Sequence, residues 1–302
     1  MSRVITLAAL SLLVASQAGA QRIVGRDDRT FSLDEVVDRG DWVRIASPNG
    51  FVRITESSGR RVEIRAEKEV QRGSIEDVGF VVRQGRGGLT VCAVYDDEDE
   101  CTADGEYRSR RSGWTRNRQI RINFTVQVPA GVRVRAGTGN GDVSVSGGVS
   151  EVVASTGNGR VDVSETTGEV KASSGNGRVT VEGAGGPVEV STGNGDIRVA
   201  TTSGPVSANS GNGDIEVSMD RLSGSPDMRF TTGNGKIVVR VPEGFDAELQ
   251  SSTGNGRISV DFPIEVRAGR LERSRLRGTI GSGGGRLVLT SGNGSISLLR
   301  SR

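Results

Sequence analysis

Asp196 and Asp214 occupy the same place in two copies of one motif, Gly-Asn-Gly-Asp, eighteen residues apart, and are the first residues whose type and spacing could do chemistry. If the motif marks stacked coils, their backbones lie about 4.8 Å apart. Retaining glycosidases hold two carboxyl groups ~5–5.5 Å apart, so the pair could cleave a polysaccharide. Any two like residues in a stacked column share that spacing, however, and Arg198 and Glu216 sit two positions further along on the same face. A solvated mixed-charge surface is the stronger reading, and a polysaccharide-active β-helix enzyme using outward carboxylates is the alternative.

Other chemistry is narrowed by residue type. The chain has no histidine, which removes Ser-His-Asp and Cys-His catalysis and imidazole metal ligands. The residue after each Gly-Asn-Gly is Asp142, Arg160, Arg178, Asp196, Asp214, Lys236, Arg257 or Ser295. Arginine and lysine cannot ligate calcium, so a continuous calcium ladder is excluded. The acidic run Asp96 to Glu100 reads as a solvated loop, with a single calcium as the alternative. Cys92 and Cys101 bracket it and read as a disulfide, with two free thiols as the alternative. No Gly-Asn-Gly has the spacing or the strand-to-helix setting of a phosphate cradle. No cofactor or metal site is expected.

Basic and acidic residues number 39 and 37 and are interspersed, so the electrostatic footprint of a nucleic-acid binder is missing. Aromatic residues make up 4% of the chain, which predicts a thin core.

The elements that would position these residues are set by a repeat. Gly-Asn-Gly recurs with its asparagine at Asn140, Asn158, Asn176, Asn194, Asn212, Asn234, Asn255 and Asn293. After each comes an alternating apolar pair, from Val143/Val145 to Ile296/Leu298, and in most units a second pair such as Val152/Ala154 follows a second glycine. Period two means a strand with one buried face. A unit of strand, turn, strand, turn cannot bury its own apolar side chains, whereas stacking identical units does so. The predicted fold is all-β: a single elongated parallel β-solenoid, or β-helix, of roughly 18-residue two-strand coils. The glycine excess, 45 residues, is assigned to corners at which Gly, Asn and Gly all tolerate positive φ. The hydroxyl column Thr138, Thr156, Ser174, Thr192, Ser210, Thr232, Thr253 and Ser291 is expected to hydrogen-bond at those corners, and the asparagines to form amide ladders. The 38-residue interval before Asn293 is expected to hold two further coils, with Gly281 to Gly285 in the turn between them.

Residues 1–20 read as a signal peptide: Arg3, the apolar run Val4 to Ala15, then Ala18-Gly19-Ala20. No later stretch approaches the ~20 apolar residues of a membrane helix. Residues 21–135 are read as irregular β-rich coils and a cap carrying the acidic loop, with Asn49-Gly50 and Ser58-Gly59 as degenerate turns. Residues 136–302 are the regular coils.

Phe31 to Glu35 (FSLDE), the turns VPAG at 128–131 and VPEG at 241–244, and the closing GTIGSGGGRLVLTSGNGSISL at 278–298 resemble the bacterial putative-adhesin family of uncharacterised β-strand-repeat proteins. The resemblance implies the stacked fold and an exported, adhesin-like role, and brings no catalytic residues. The sequence therefore points to a non-enzymatic exported protein of the periplasm or cell surface. Glu151, Glu169 and Glu189 would form a column on one sheet, opposite the Asp/Arg/Lys ladder. Envelope polysaccharide or a surface protein is the expected partner, and self-association into a filament through end strands is a further alternative.

Overall fold

The computed structural model describes residues 22–85, 87–97, 99–108, 118–201, 204–219, 221–222, 224, 226–266 and 274–301. The expected signal peptide and Glu98 of the acidic run lie outside the described residues. The chain folds into two long sheets of fourteen and twelve strands, plus a two-stranded ribbon of Glu100–Cys101 and Tyr107–Arg108. The only helical element among the described residues is a 3₁₀ turn, Ile75–Asp77, capped by Ser74.

Valine and isoleucine at alternate positions dictate strands, and the common motif length dictates their register. Arg133–Asn140 pairs in parallel with Glu151–Asn158, followed in order by Glu169–Asn176, Val188–Asn194, Val206–Asn212 and Met228–Asn234. The facing sheet stacks Val143–Ser146, Val161–Ser164, Val179–Ala184, Ile197–Thr201, Ile215–Met219 and Ile237–Val241 in the same order. The result is all-β, parallel-rich, solenoid-like stacking. Between the sheets the inward side chains, such as Val143, Val152, Val161, Val170 and Val179, are fully buried. Each contributes roughly 1.5–3 kcal/mol relative to exposure.

At both ends the stacking order departs from chain order. Arg286–Asn293 lies between Met228–Asn234 and Ala247–Asn255, parallel to both. In the other sheet Ile296–Arg300 lies between Ile237–Val241 and Ile258–Val260. The 38-residue interval thus holds no pair of successive coils. It contains Arg275–Ile280, which runs antiparallel along the outer edge of Ala247–Asn255, the glycine turn, and a coil inserted one place inward. The antiparallel strand takes up the edge groups that an end coil would leave unpaired.

The opposite end is built the same way. Trp42–Asn49 and Val52–Ser57 pair with the Asn140 coil, so Asn49-Gly50 is a corner in register with the rest. Gly88–Val94 and Gln119–Pro129 form a layer outside it although they come later in the chain. Antiparallel strands Gly79–Gly85, Arg61–Arg72 and Thr30–Val36 close that end. Ser58-Gly59 leads into this antiparallel cap and is not a coil corner.

Aromatic rings gather toward the two ends of the stack. Phe31 stacks on Phe80, which meets Phe124 edge-on at 5.9 Å between centroids, and Phe245 meets Phe262 at 6.3 Å at the other end. Lys68 is completely buried in the N-terminal cap, and its ammonium donates to the carbonyls of Gly25, Arg26, Ile75 and Val78 at 2.7–2.9 Å.

Candidate functional surface

The corners are built from four columns with different tasks. The hydroxyls point inward: Thr156, Ser174, Thr192 and Ser210 are 1–6% exposed and donate to the third-glycine carbonyl of the neighbouring coil at 2.8–2.9 Å. The asparagines point outward. Asn158, Asn176, Asn194, Asn212, Asn234, Asn293 and Asn255 each donate an amide N–H to the side-chain oxygen of the asparagine one place back in the stack, at 2.7–2.9 Å. This unbroken ladder follows the stacking order, with Asn293 between Asn234 and Asn255.

The glycines differ from one another. Of the three motif residues only the third takes positive φ, from +142° at Gly141 to +158° at Gly195 and at every corner except that of Gly256, and a Cβ there would lie 1.9–2.2 Å from the carbonyl oxygen of the adjacent coil. The first glycine has no positive φ. It is needed because a Cβ would come within 2.4–2.5 Å of the neighbouring backbone oxygen. The asparagine also has no positive φ, so the corner draws on only one of the three positions expected to tolerate it. Close approach of coils and the amide ladder explain the first two positions.

The fourth column carries charge. Arg160 donates to Asp142 through its backbone N–H and its guanidinium, both at 2.8 Å. That guanidinium holds the Asp142 carboxyl below the usual range. Asp196 and Asp214 do lie one coil apart, but each carboxylate is turned along the column. Asp196 accepts from the Asp214 backbone N–H at 3.1 Å and from Arg178 at 3.4 Å, and Asp214 accepts from the Lys236 backbone N–H at 2.7 Å. This arrangement fastens successive coils together. Among the described residues no three acidic or cysteine side chains gather as a metal site. In the acidic loop Asp96 meets Arg118 at 3.2 Å, Asp97 meets Arg26 at 2.5 Å, and Asp99 accepts from the Tyr107 hydroxyl at 2.7 Å. Cys92 and Cys101 are disulfide-bonded and close this loop.

The outward faces carry the remaining groups. Glu151 stacks on Glu169, but Glu189 stacks on Lys171, because the register places Pro187 and not Glu189 in the glutamate column. The expected three-glutamate column is therefore a column of two. Lys171 bonds Glu169 at 2.9 Å, which raises its ammonium. On the other sheet Glu216 accepts from Arg198 at 3.2 Å and Arg240 at 2.8 Å. Beyond the glutamates a groove of about 540 Å³ opens across successive coils, lined by Glu189, Ser191, Ser207, Asn209, Arg229 and Thr231. Arg286 and Asp227, paired at 3.1 Å, border it. Motif reading missed this groove because its residues fall outside Gly-Asn-Gly. The alternation of outward positions was the available signal.

The family described as Toastrack DUF4097 matches residues 95–299. No curated protein shows a significant match. Among solved structures, a putative adhesin from Bacteroides fragilis is 14% identical, with 89% of this chain and 97% of that one covered and a TM-score of 0.47. A putative adhesin from Parabacteroides distasonis is 11% identical, with 91% and 98% covered and a TM-score of 0.36. A putative cell adhesion protein from Clostridium sporogenes is 9% identical, with 90% and 100% covered and a TM-score of 0.25.

Proposed function

We propose, from the premise that this chain belongs to the Toastrack DUF4097 family, that it is an exported, non-enzymatic β-solenoid of roughly 18-residue coils that binds an extended polymer at the cell envelope. The observation that carries the proposal is the groove across successive coils, where Glu189, Ser207, Asn209, Arg229 and Thr231 offer donors and acceptors of both signs. Hydroxyl, amide and charged groups repeated at strand spacing suit a partner with its own repeat, and envelope polysaccharide is the partner class we favour over a surface protein. Affinity would accumulate from many weak contacts. Catalysis by Asp196 and Asp214 is disfavoured, since their carboxylates already bind backbone N–H groups and an arginine.

Export is part of the proposal, and among the described residues no helix is long and apolar enough to cross a membrane. Pull-down of envelope fractions with the purified mature chain tests the reading: retention of a polysaccharide supports it. Lytic activity that disappears in Asp196→Asn/Asp214→Asn would replace it with the enzymatic one.

A further inference from the structure

Trp42 and Arg44 lie on one strand of the longer sheet and Arg133 and Arg135 on the next, with Trp42 opposite Arg133 and Arg44 opposite Arg135. All four occupy alternate, outward positions. Like charges directly opposite on paired strands destabilise a sheet, and here two guanidiniums face each other with a third beside them. All three surround one indole, with guanidinium carbons 5.3, 4.8 and 5.8 Å from the Trp42 ring for Arg44, Arg133 and Arg135.

The available anions leave this charge incompletely neutralised. Arg133 donates to the Gly40 carbonyl at 2.6 Å and reaches Glu151 only at 3.9 Å. Arg44 donates to the Gly87 carbonyl at 3.3 Å, with Asp104 and Asp41 nearby but not in contact. The Arg135 Nε is buried without a hydrogen-bond partner among the described residues. Burial lowers the Arg44 guanidinium, Asp104 opposes that, and Arg135 and Arg133 lower it further.

Around the cluster the surface is small-chained and walled. Gly137 and Ser155 continue the outward row beside Arg135 and Val153, while Ala46, two residues beyond Arg44, is buried against Cys92 and Cys101. On the far side the turn at Gly105, anchored by the disulfide-closed loop, packs on the Arg44 stem. Arginine forks match tetrahedral oxyanions in bidentate geometry, and the indole holds the forks in place through cation–π contacts.

We propose that Arg44, Arg133 and Arg135, oriented by Trp42, form a binding site for a tetrahedral oxyanion of the phosphate class, whether a free ion or an ester on a glycan. The site stands apart from the groove and does not depend on polymer binding there.

Trp42 is its own reporter once the second tryptophan, Trp114, is replaced. In a Trp114→Phe background, inorganic phosphate and glucose 1-phosphate are each titrated while tryptophan emission and thermal midpoint are followed. The expected result is a saturable emission change with a rise in midpoint, as binding to the folded state requires. Both should weaken at least tenfold in Arg135→Gln and in Arg44→Gln, and partly in Arg135→Lys, which keeps the charge but not the fork. Tighter binding of the ester assigns the source to a phosphorylated glycan, and tighter binding of the free ion assigns it to phosphate itself. The proposal is overturned if neither probe gives a saturable response, or if the response survives in folded Arg44→Gln protein.

Discussion

At the scale of single residues the corners separate steric from hydrogen-bonding roles. Gly213→Val places a Cβ 1.9 Å from the Gly195 carbonyl oxygen at a φ of +150°, so a loss on the order of 3 kcal/mol or more is expected in urea unfolding. Asn212→Ala removes one amide bond given and one received, for a loss of about 1–2 kcal/mol. Asn255, at the end of the ladder, only donates, so Asn255→Ala should lose about half as much. Lys68 gives a pH signature. Burial pushes its ammonium from 10.5 down to about 8. Between those values the unfolded chain still holds a proton that the folded chain has released, so the unfolded state binds more protons and stability rises with pH across that window. Unfolding free energies measured from pH 7.5 to 10.5 should show wild type gaining on Lys68→Met, whatever their offset at neutral pH; a flat difference would refute this.

At the scale of elements, the inserted coil makes the strongest claim. Because Arg286–Arg300 separates the Asn234 and Asn255 coils, deleting residues 286–302 should strip amide-exchange protection from Met228–Val241 as well as from Ala247–Val260. If the coils followed chain order, Met228–Val241 would keep its protection. Reducing the disulfide, whose cysteines are nine residues apart, is expected to lower stability by about 2.5 kcal/mol, measured as the difference in urea midpoint with and without reductant. The contrast shows what sequence reading can reach. Alternating Val and Ile with a recurring Gly-Asn-Gly fix strand, corner and inward column, since each depends on neighbours at a constant offset. Insertion order was hidden because Ser291-Gly292-Asn293-Gly294 has the same corner chemistry as every other coil and suits any place in the stack. The Trp42 cluster was hidden for a related reason: Arg133 joins it from ninety-one residues away through an out-of-order end.

At the scale of the whole molecule, the chain is a thin-cored stack with both ends of its longer sheet closed by antiparallel strands. Terminal strands only two residues long, Ile23–Val24 and Ile264–Glu265, resist end-to-end pairing of the longer sheet, so sedimentation should find a monomer, and filament formation would require the Thr30–Val36 or the Ile258–Val260 edge of the other sheet to recruit a second copy. What remains exposed over the length of the stack is side-chain surface, polar and repeated, and the groove from Glu189 to Thr231 is one place where it recedes. Polymer binding at the groove is decided by measuring the affinity of purified envelope polysaccharide for wild type and for Asn209→Ala/Arg229→Ala. Both substitutions are on an outward face and should leave the thermal midpoint nearly unchanged. Wild type should bind saturably, and the double variant at least tenfold more weakly. Equal affinity in the two proteins, or no binding to any envelope polysaccharide, would contradict it.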